Sequence, residues 1–184
     1  MGYGPPAPVQ VFQHEAEFSS LLELYRERKP KRVLEVGSYH GGTLYHWLQN
    51  AEPGTGIVSL DTYTAADNRH LYASWVPRGV ELEVVAGDSH DSEIVERISG
   101  FAPFDWVFID ADHYYPAVKT DWDNFRPMCS PGAVVAFHDI LTSEFHPEIE
   151  VERLWHEIQE DYETREIIED RGAAWGGIGV VFIP

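Results

Sequence analysis

The stretch Lys31-Arg32-Val33-Leu34-Glu35-Val36-Gly37-Ser38-Tyr39-His40-Gly41-Gly42 reads as a short apolar strand that ends beside an acid, turns at Gly37 and opens a helix through Gly41 and Gly42. Such a strand–glycine–helix junction is where a parallel sheet meets a nucleotide-like ligand, because bare backbone and a helix N-terminus face the same point. The spacing also discriminates between ligands. A dinucleotide fingerprint has glycine at its first, third and sixth positions so that the backbone can approach a pyrophosphate. Here Tyr39 takes the middle position, which crowds a phosphate-bearing ligand and admits a cofactor without one.

On the N-terminal side, Phe18, Leu21, Leu22 and Tyr25 fall at helical spacing and predict a helix that stops at the charged segment before Pro30. The preceding Pro- and Gly-containing residues, 1–17, read as a flexible arm, so the domain is expected over 18–184. On the C-terminal side, helices over 41–50, about 65–76, 92–99 and 115–128 alternate with strands over 56–61, 81–87, 104–110 and 132–138. With the strand at 32–37 this gives five strands separated by helices, which implies a parallel sheet covered on both faces, a Rossmann-like doubly wound α/β fold. The tail differs in kind: a helix over 148–161 precedes strands over 164–169 and 177–183, close enough to pair as an antiparallel hairpin. Seven strands in one domain result.

At 184 residues, one core is the default. The net charge of −18 disfavours nucleic acid and anionic membrane surfaces as partners, since no Lys/Arg cluster offsets it. The start lacks the basic end and apolar stretch of a secretory signal. Cys129, the single cysteine, excludes an internal disulfide. A cytoplasmic protein is expected, acting on a small molecule.

In an open α/β sheet, ligands bind beyond the carboxyl ends of the strands. Those ends read Glu35-Val36-Gly37, Leu60-Asp61-Thr62, Gly87-Asp88-Ser89, Ile109-Asp110-Ala111-Asp112-His113 and Phe137-His138-Asp139. Asp61, 24 positions past Gly37, suits the two hydroxyls of a ribose, or else caps the following helix. Asp110, Asp112, His113, His138 and Asp139 crowd two neighbouring strand tips. Carboxylate and imidazole donors of this kind suit Mg²⁺ or Mn²⁺, and the metal set is expected as Asp110, His138 and Asp139. His113, just beyond its strand, is the candidate general base. Tyr39, Tyr63, Tyr114, Tyr115 and Trp175 lie on loops near the same rim and are candidates for an acceptor pocket.

The run Glu35-Val-Gly-Ser-Tyr-His-Gly-Gly-Thr43 resembles the first motif of class I S-adenosylmethionine (SAM) dependent methyltransferases, most closely the small metal-dependent O-methyltransferases. The segment at 107–113 followed by 134–139 resembles the fourth- and fifth-strand metal positions of catechol and caffeoyl-type O-methyltransferases and of sugar- and antibiotic-tailoring relatives. Asp110 and Asp139 match both patterns, whereas His138 stands where those families place an acid. The resemblance implies a seven-stranded methyltransferase fold, SAM as cofactor, and a divalent cation. It implies cofactor contacts from Glu35, Gly37, Ser38, Tyr39, Gly41, Asp61, Thr62 and Asp110, with Asp88 and Ser89 at the adenine edge. Short relatives of this kind leave the pocket open or completed by a second subunit, so a homodimer is an expectation. The competing classes are a metal-independent SAM enzyme, a nicotinamide-dependent oxidoreductase, and a SAM-fold protein that binds without catalysis.

Overall fold

In the computed structural model, which describes residues 8–62 and 64–184, the quoted strand is β1 (Arg32–Val36), buried from Val33 onward. It pairs in parallel with β2 (Gly56–Asp61) on one side and β4 (Phe104–Ile109) on the other. Beyond β2 lies β3 (Glu81–Ala86), and beyond β4 lies β5 (Cys129–His138), both parallel. The chain therefore winds outward in two directions from β1, and the reversal leaves a crevice at the carboxyl ends of β1 and β4.

Alternation along these strands decides what each face meets. Val33, Ile57, Trp106 and Phe108 point into one cluster, where they meet Phe18, Leu21 and Leu22 of α1 (Glu15–Arg28), Leu44 and Trp47 of α2 (Gly42–Asn50), and Tyr72 of α3 (Thr64–Ser74). Leu34, Val58, Val107 and Phe137 point the other way. There they meet Ile98 of α4 (Ser92–Ser99), Trp122 and Phe125 of α5 (Tyr115–Phe125), and Leu154 and Trp155 of α6 (Val151–Asp161). Burial on both faces explains the near-continuous apolar runs of the central strands.

The last two strands form the expected antiparallel pair, with the later one inside: β7 (Ile178–Phe182) lies between β5 and β6 (Glu163–Ile167). Composition sorts them. Ile-Gly-Val-Val-Phe is almost wholly buried, whereas Glu-Thr-Arg-Glu-Ile exposes alternate residues and suits an edge.

Several boundaries differ from the sequence reading. The helix expected over 115–128 ends at Phe125 and continues as a 3₁₀ turn, Arg126–Met128, where Pro127 has no N–H for the α-helical ladder. The helix expected from 148 starts at Val151. Glu150 is held outside it: its N–H donates to the His113 carbonyl at 2.8 Å, and its carboxylate accepts from Tyr115 N at 2.9 Å.

The first helix begins at Glu15, inside the stretch expected as an arm, and Gln10 to Gln13 ahead of it lie against the carboxyl edge of the sheet. Glu17 anchors this region. It is 1% exposed, and its two oxygens accept from Glu169 N at 3.0 Å and Gly177 N at 2.9 Å, joining α1 to the link between β6 and β7. Replacing Glu17 by alanine strips both amides of their acceptor, and a buried donor left unmatched costs about 1–3 kcal/mol. Thermal unfolding of Glu17→Ala is expected several degrees below wild type, with Glu17→Gln intermediate because one amide oxygen remains; equal midpoints for all three would contradict the anchor.

Candidate functional site

The turn after β1 is fixed from both sides. Gly37 N donates to the Leu60 carbonyl and Asp110 N to the Val36 carbonyl, each at 2.8 Å. Gly37 adopts φ +88°, and a Cβ there would stand 2.0 Å from the Asp110 carbonyl oxygen, so only glycine fits. The next residues are held by α3 and β2. Tyr39, itself at φ 46°, donates its N–H to Asp61 Oδ2 at 2.7 Å and accepts from the Tyr72 hydroxyl at 2.8 Å. Ser38 Oγ lies 2.5 Å from Ser59 Oγ.

Beside this turn is a cavity of about 770 Å³. Of the predicted cofactor residues, Gly37, Ser38, Tyr39, Asp61, Thr62, Asp88, Ser89 and Asp110 all line it, as does His113. Tyr114 is also on its wall. Asp88 is shaped by its own loop, accepting from His90 N at 2.9 Å.

Two expected contacts are corrected. Glu35 does not reach the cavity: it is fully buried beneath α2, where Oε1 accepts from Thr43 Oγ1 at 2.6 Å and Trp47 Nε1 at 2.9 Å. Burial pushes its carboxyl up to about 7 despite those donors. Gly41 faces the other way, against Tyr72, whose ring carbon a Cβ would meet at 2.5 Å. Neither lines the cavity; both shape the loop that does. Among the aromatic candidates, Tyr115 turns to α6 and donates to Glu157 at 2.8 Å, Trp175 stacks edge-on against His138 and His14, and Tyr63 lies outside the described residues.

At the rim, β4 and β5 bring two acids and two histidines together. Asp110 Oδ1 lies 3.3 Å from His138 Nδ1 and 3.6 Å from His113 Nε2; Asp139 Oδ2 lies 3.2 Å and 3.0 Å from the same atoms. One donor atom each of Asp110, His113 and Asp139 lies within 4.8 Å of the others, a grouping in which His113 stands beside the two predicted acids. Asp112 stands apart, its carboxylate accepting from Tyr114 N at 2.9 Å. Asp139 adopts φ 60°, a left-handed conformation rare outside glycine and held here beside the site.

The quartet settles its own charges. Hydrogen bonds donated to Asp110 and Asp139 hold the His113 imidazolium up to about 10. Burial pulls His138 down, but the same two carboxylates outweigh it and raise it to about 10. Burial likewise disfavours ionised Asp110 and Asp139, yet the histidines hold Asp110 well below the carboxylate range and Asp139 at about 2. In the cation-free protein near neutrality, His113 is therefore an acid's partner already carrying its proton. That differs from the near-neutral imidazole expected of a free-standing base.

Sequence reading missed the N-terminal contribution. Gln13 Nε2 donates to Asp110 Oδ2 at 2.5 Å across 97 positions, and the Gln10 carbonyl crosses Gly42 so closely that a Cβ there would lie 2.3 Å away. A lone polar residue in an aperiodic segment carries no pattern that announces such a contact.

The family described as Methyltransferase domain matches residues 34–140. An uncharacterized protein of Sinorhizobium fredii is 24% identical over 132 residues, 63% of this chain and 14% of the relative, so the chain spans about one seventh of that relative's length. The O-methyltransferase TomG of Streptomyces achromogenes, involved in tomaymycin synthesis and solved with SAM, superposes with a TM-score of 0.72 at 23% identity, over 98% of this chain and 83% of TomG. An O-methyltransferase from Bacillus cereus, solved with S-adenosylhomocysteine, superposes with a TM-score of 0.71 at 18% identity, over 97% and 84%. At these identities the superpositions establish a shared fold. No helix among the described residues is long and apolar enough to cross a membrane.

Glu35 supplies a pH signature. Its folded carboxyl titrates about 7 against an ordinary 4.5, so across that window the unfolded chain ionises first and stability declines as pH rises. Glu35→Gln keeps an acceptor for Thr43 and Trp47 without the ionisation. Unfolding midpoints of wild type are expected to fall relative to Glu35→Gln between pH 4.5 and 7; parallel profiles would contradict the assignment.

Proposed function

We propose that this chain, which belongs to the methyltransferase-domain family, transfers the methyl group of SAM to a hydroxyl of a small-molecule acceptor, with a divalent cation held at the rim. The observation that carries this reading is the convergence of the tips of β1, β2 and β4 on one cavity, with His113 joining its wall to Asp139 at the tip of β5.

Asp61 stands on the cavity wall where a ribose diol would meet a carboxylate, and Tyr39 replaces the glycine that a pyrophosphate would need. These features favour SAM over a dinucleotide. Methyl transfer is an in-line displacement: the acceptor oxygen forms a bond to the methyl carbon, the carbon–sulfur bond breaks, its electron pair neutralises the sulfonium, and the hydroxyl proton leaves. The residues must hold oxygen, carbon and sulfur nearly collinear and receive that proton.

Asp110, Asp139 and His138 fit a divalent cation, which leaves the His113 imidazole as the base. Two carboxylates and an imidazole are suitable donors for Mg²⁺ or Mn²⁺, and Asp139 Oδ1 is buried without a hydrogen-bond partner. His138 Nδ1 lies 3.3 Å from Asp110 Oδ1 and 3.2 Å from Asp139 Oδ2. A bound cation supplies Lewis acidity and a template for the acceptor hydroxyl. His113 keeps its proton only while paired with the carboxylates; once their charge is engaged elsewhere, it is free to accept the acceptor's proton. A second reading dispenses with the cation, and it is favoured by the balanced quartet, which needs no further charge to be stable. The single cysteine and the acidic surface accord with a cytoplasmic enzyme acting on a small molecule.

Methyl transfer from SAM to a panel of phenolic, sugar and alcohol acceptors tests this directly. Activity is expected to vanish on chelation and return with Mg²⁺ or Mn²⁺, and His113→Gln is expected to lower kcat by about 10²–10⁴. Activity that survives chelation would establish the cation-free reading, and an unchanged kcat in the variant would remove His113 as base.

A further inference from the structure

Gln13 lies outside the strand-tip set, yet its side chain enters it. Its Nε2 lies 2.5 Å from Asp110 Oδ2, the carboxylate oxygen that the two histidines do not face, since they address Oδ1. Its Oε1 is buried and has no hydrogen-bond partner among the described residues. A primary amide has a donor end and an acceptor end, and here only the donor end is used.

The two ends exchange places on a half-turn about χ3. In one state the N–H serves an anionic Asp110. In the other, the amide oxygen faces the carboxylate oxygen, an arrangement that two electron-rich atoms tolerate only with a cation or a proton between them. Carboxylate and amide oxygens together are the hard donors that Mg²⁺ and Mn²⁺ select. We propose that Gln13, by turning its amide oxygen toward Asp110, is an additional ligand of the rim cation; this rests on the cation reading above.

Placement gives the ligand a second consequence. Gln13 belongs to the segment whose Gln10 carbonyl crosses Gly42 and whose Phe12 ring meets Tyr39 edge-on at 5.5 Å. Cation binding would thus hold down the stretch of chain that covers the cofactor loop.

Mn²⁺ titration of the full chain, followed by the loss of the free-ion electron paramagnetic resonance signal, separates ligand from bystander. Gln13→Ala is expected to weaken Mn²⁺ binding about ten-fold or more, at least the loss typical of outer-shell partners. Gln13→Glu, which keeps an oxygen and adds charge, is expected to bind at least as tightly as wild type. Cooperative thermal unfolding of both variants confirms that the fold is kept. Affinity in Gln13→Ala equal to or above wild type would overturn the proposal, since the amide would then only compete through its N–H, and a loss in Gln13→Glu matching that in Gln13→Ala would do the same. Either result leaves the cation reading standing if wild type binds Mn²⁺, whereas a wild type that binds none removes both.

Discussion

The site depends on how the tip of β1 is clamped between its neighbours. Two backbone hydrogen bonds, from Gly37 N to Leu60 and from Asp110 N to Val36, continue the parallel ladder one step past the last strand residues. They bring the Asp110 carbonyl to a place that any side chain on residue 37 would fill. Because the clamp joins three strands, the tips carrying Asp61 and Asp110 are set by the same register that builds the core. The cavity is thus a product of sheet geometry, and the loops need only decorate it.

Around that clamp the charges are divided by burial. Glu35, on the same strand, faces α2, where burial holds its carboxyl up to about 7; it accepts from Thr43 and Trp47 and secures the helix that the loop opens. Asp110 and Asp139 are ionised because two histidines face them. A group of two acids and two bases is stable as a neutral unit, and the proposed cation would take the place of its protons. His138, the departure from the acid of the resembling families, is what makes that balance complete.

Much of the fold was legible because the central strands are buried on both faces and the helices show single apolar stripes; the strand at 56–61 and the helix at 92–99 fall where the pattern places them. Asp61, Asp110 and His113 stand on one cavity wall at the strand ends where the sequence places them, whereas Asp139 is off that wall and reaches it through His113. Glu35 was misassigned because strand-end acids look alike in one dimension, although Thr43 and Trp47, one helical turn apart, were already positioned to receive it. Gly41 was misread since its need for a bare α-carbon comes from Tyr72, which is 31 positions away. Gln13 and Glu17 act through contacts spanning 97 and up to 160 positions, and no local period records those.

Calorimetric titration of the chain with S-adenosylhomocysteine tests the central claim most directly, because it asks whether the cavity beside Gly37 recognises the cofactor without needing the acceptor. Saturable binding is expected, weakened about ten-fold or more in Asp61→Ala, where a charged hydrogen-bonding partner is removed. Absence of binding at millimolar ligand, or equal affinity in the variant, would contradict it.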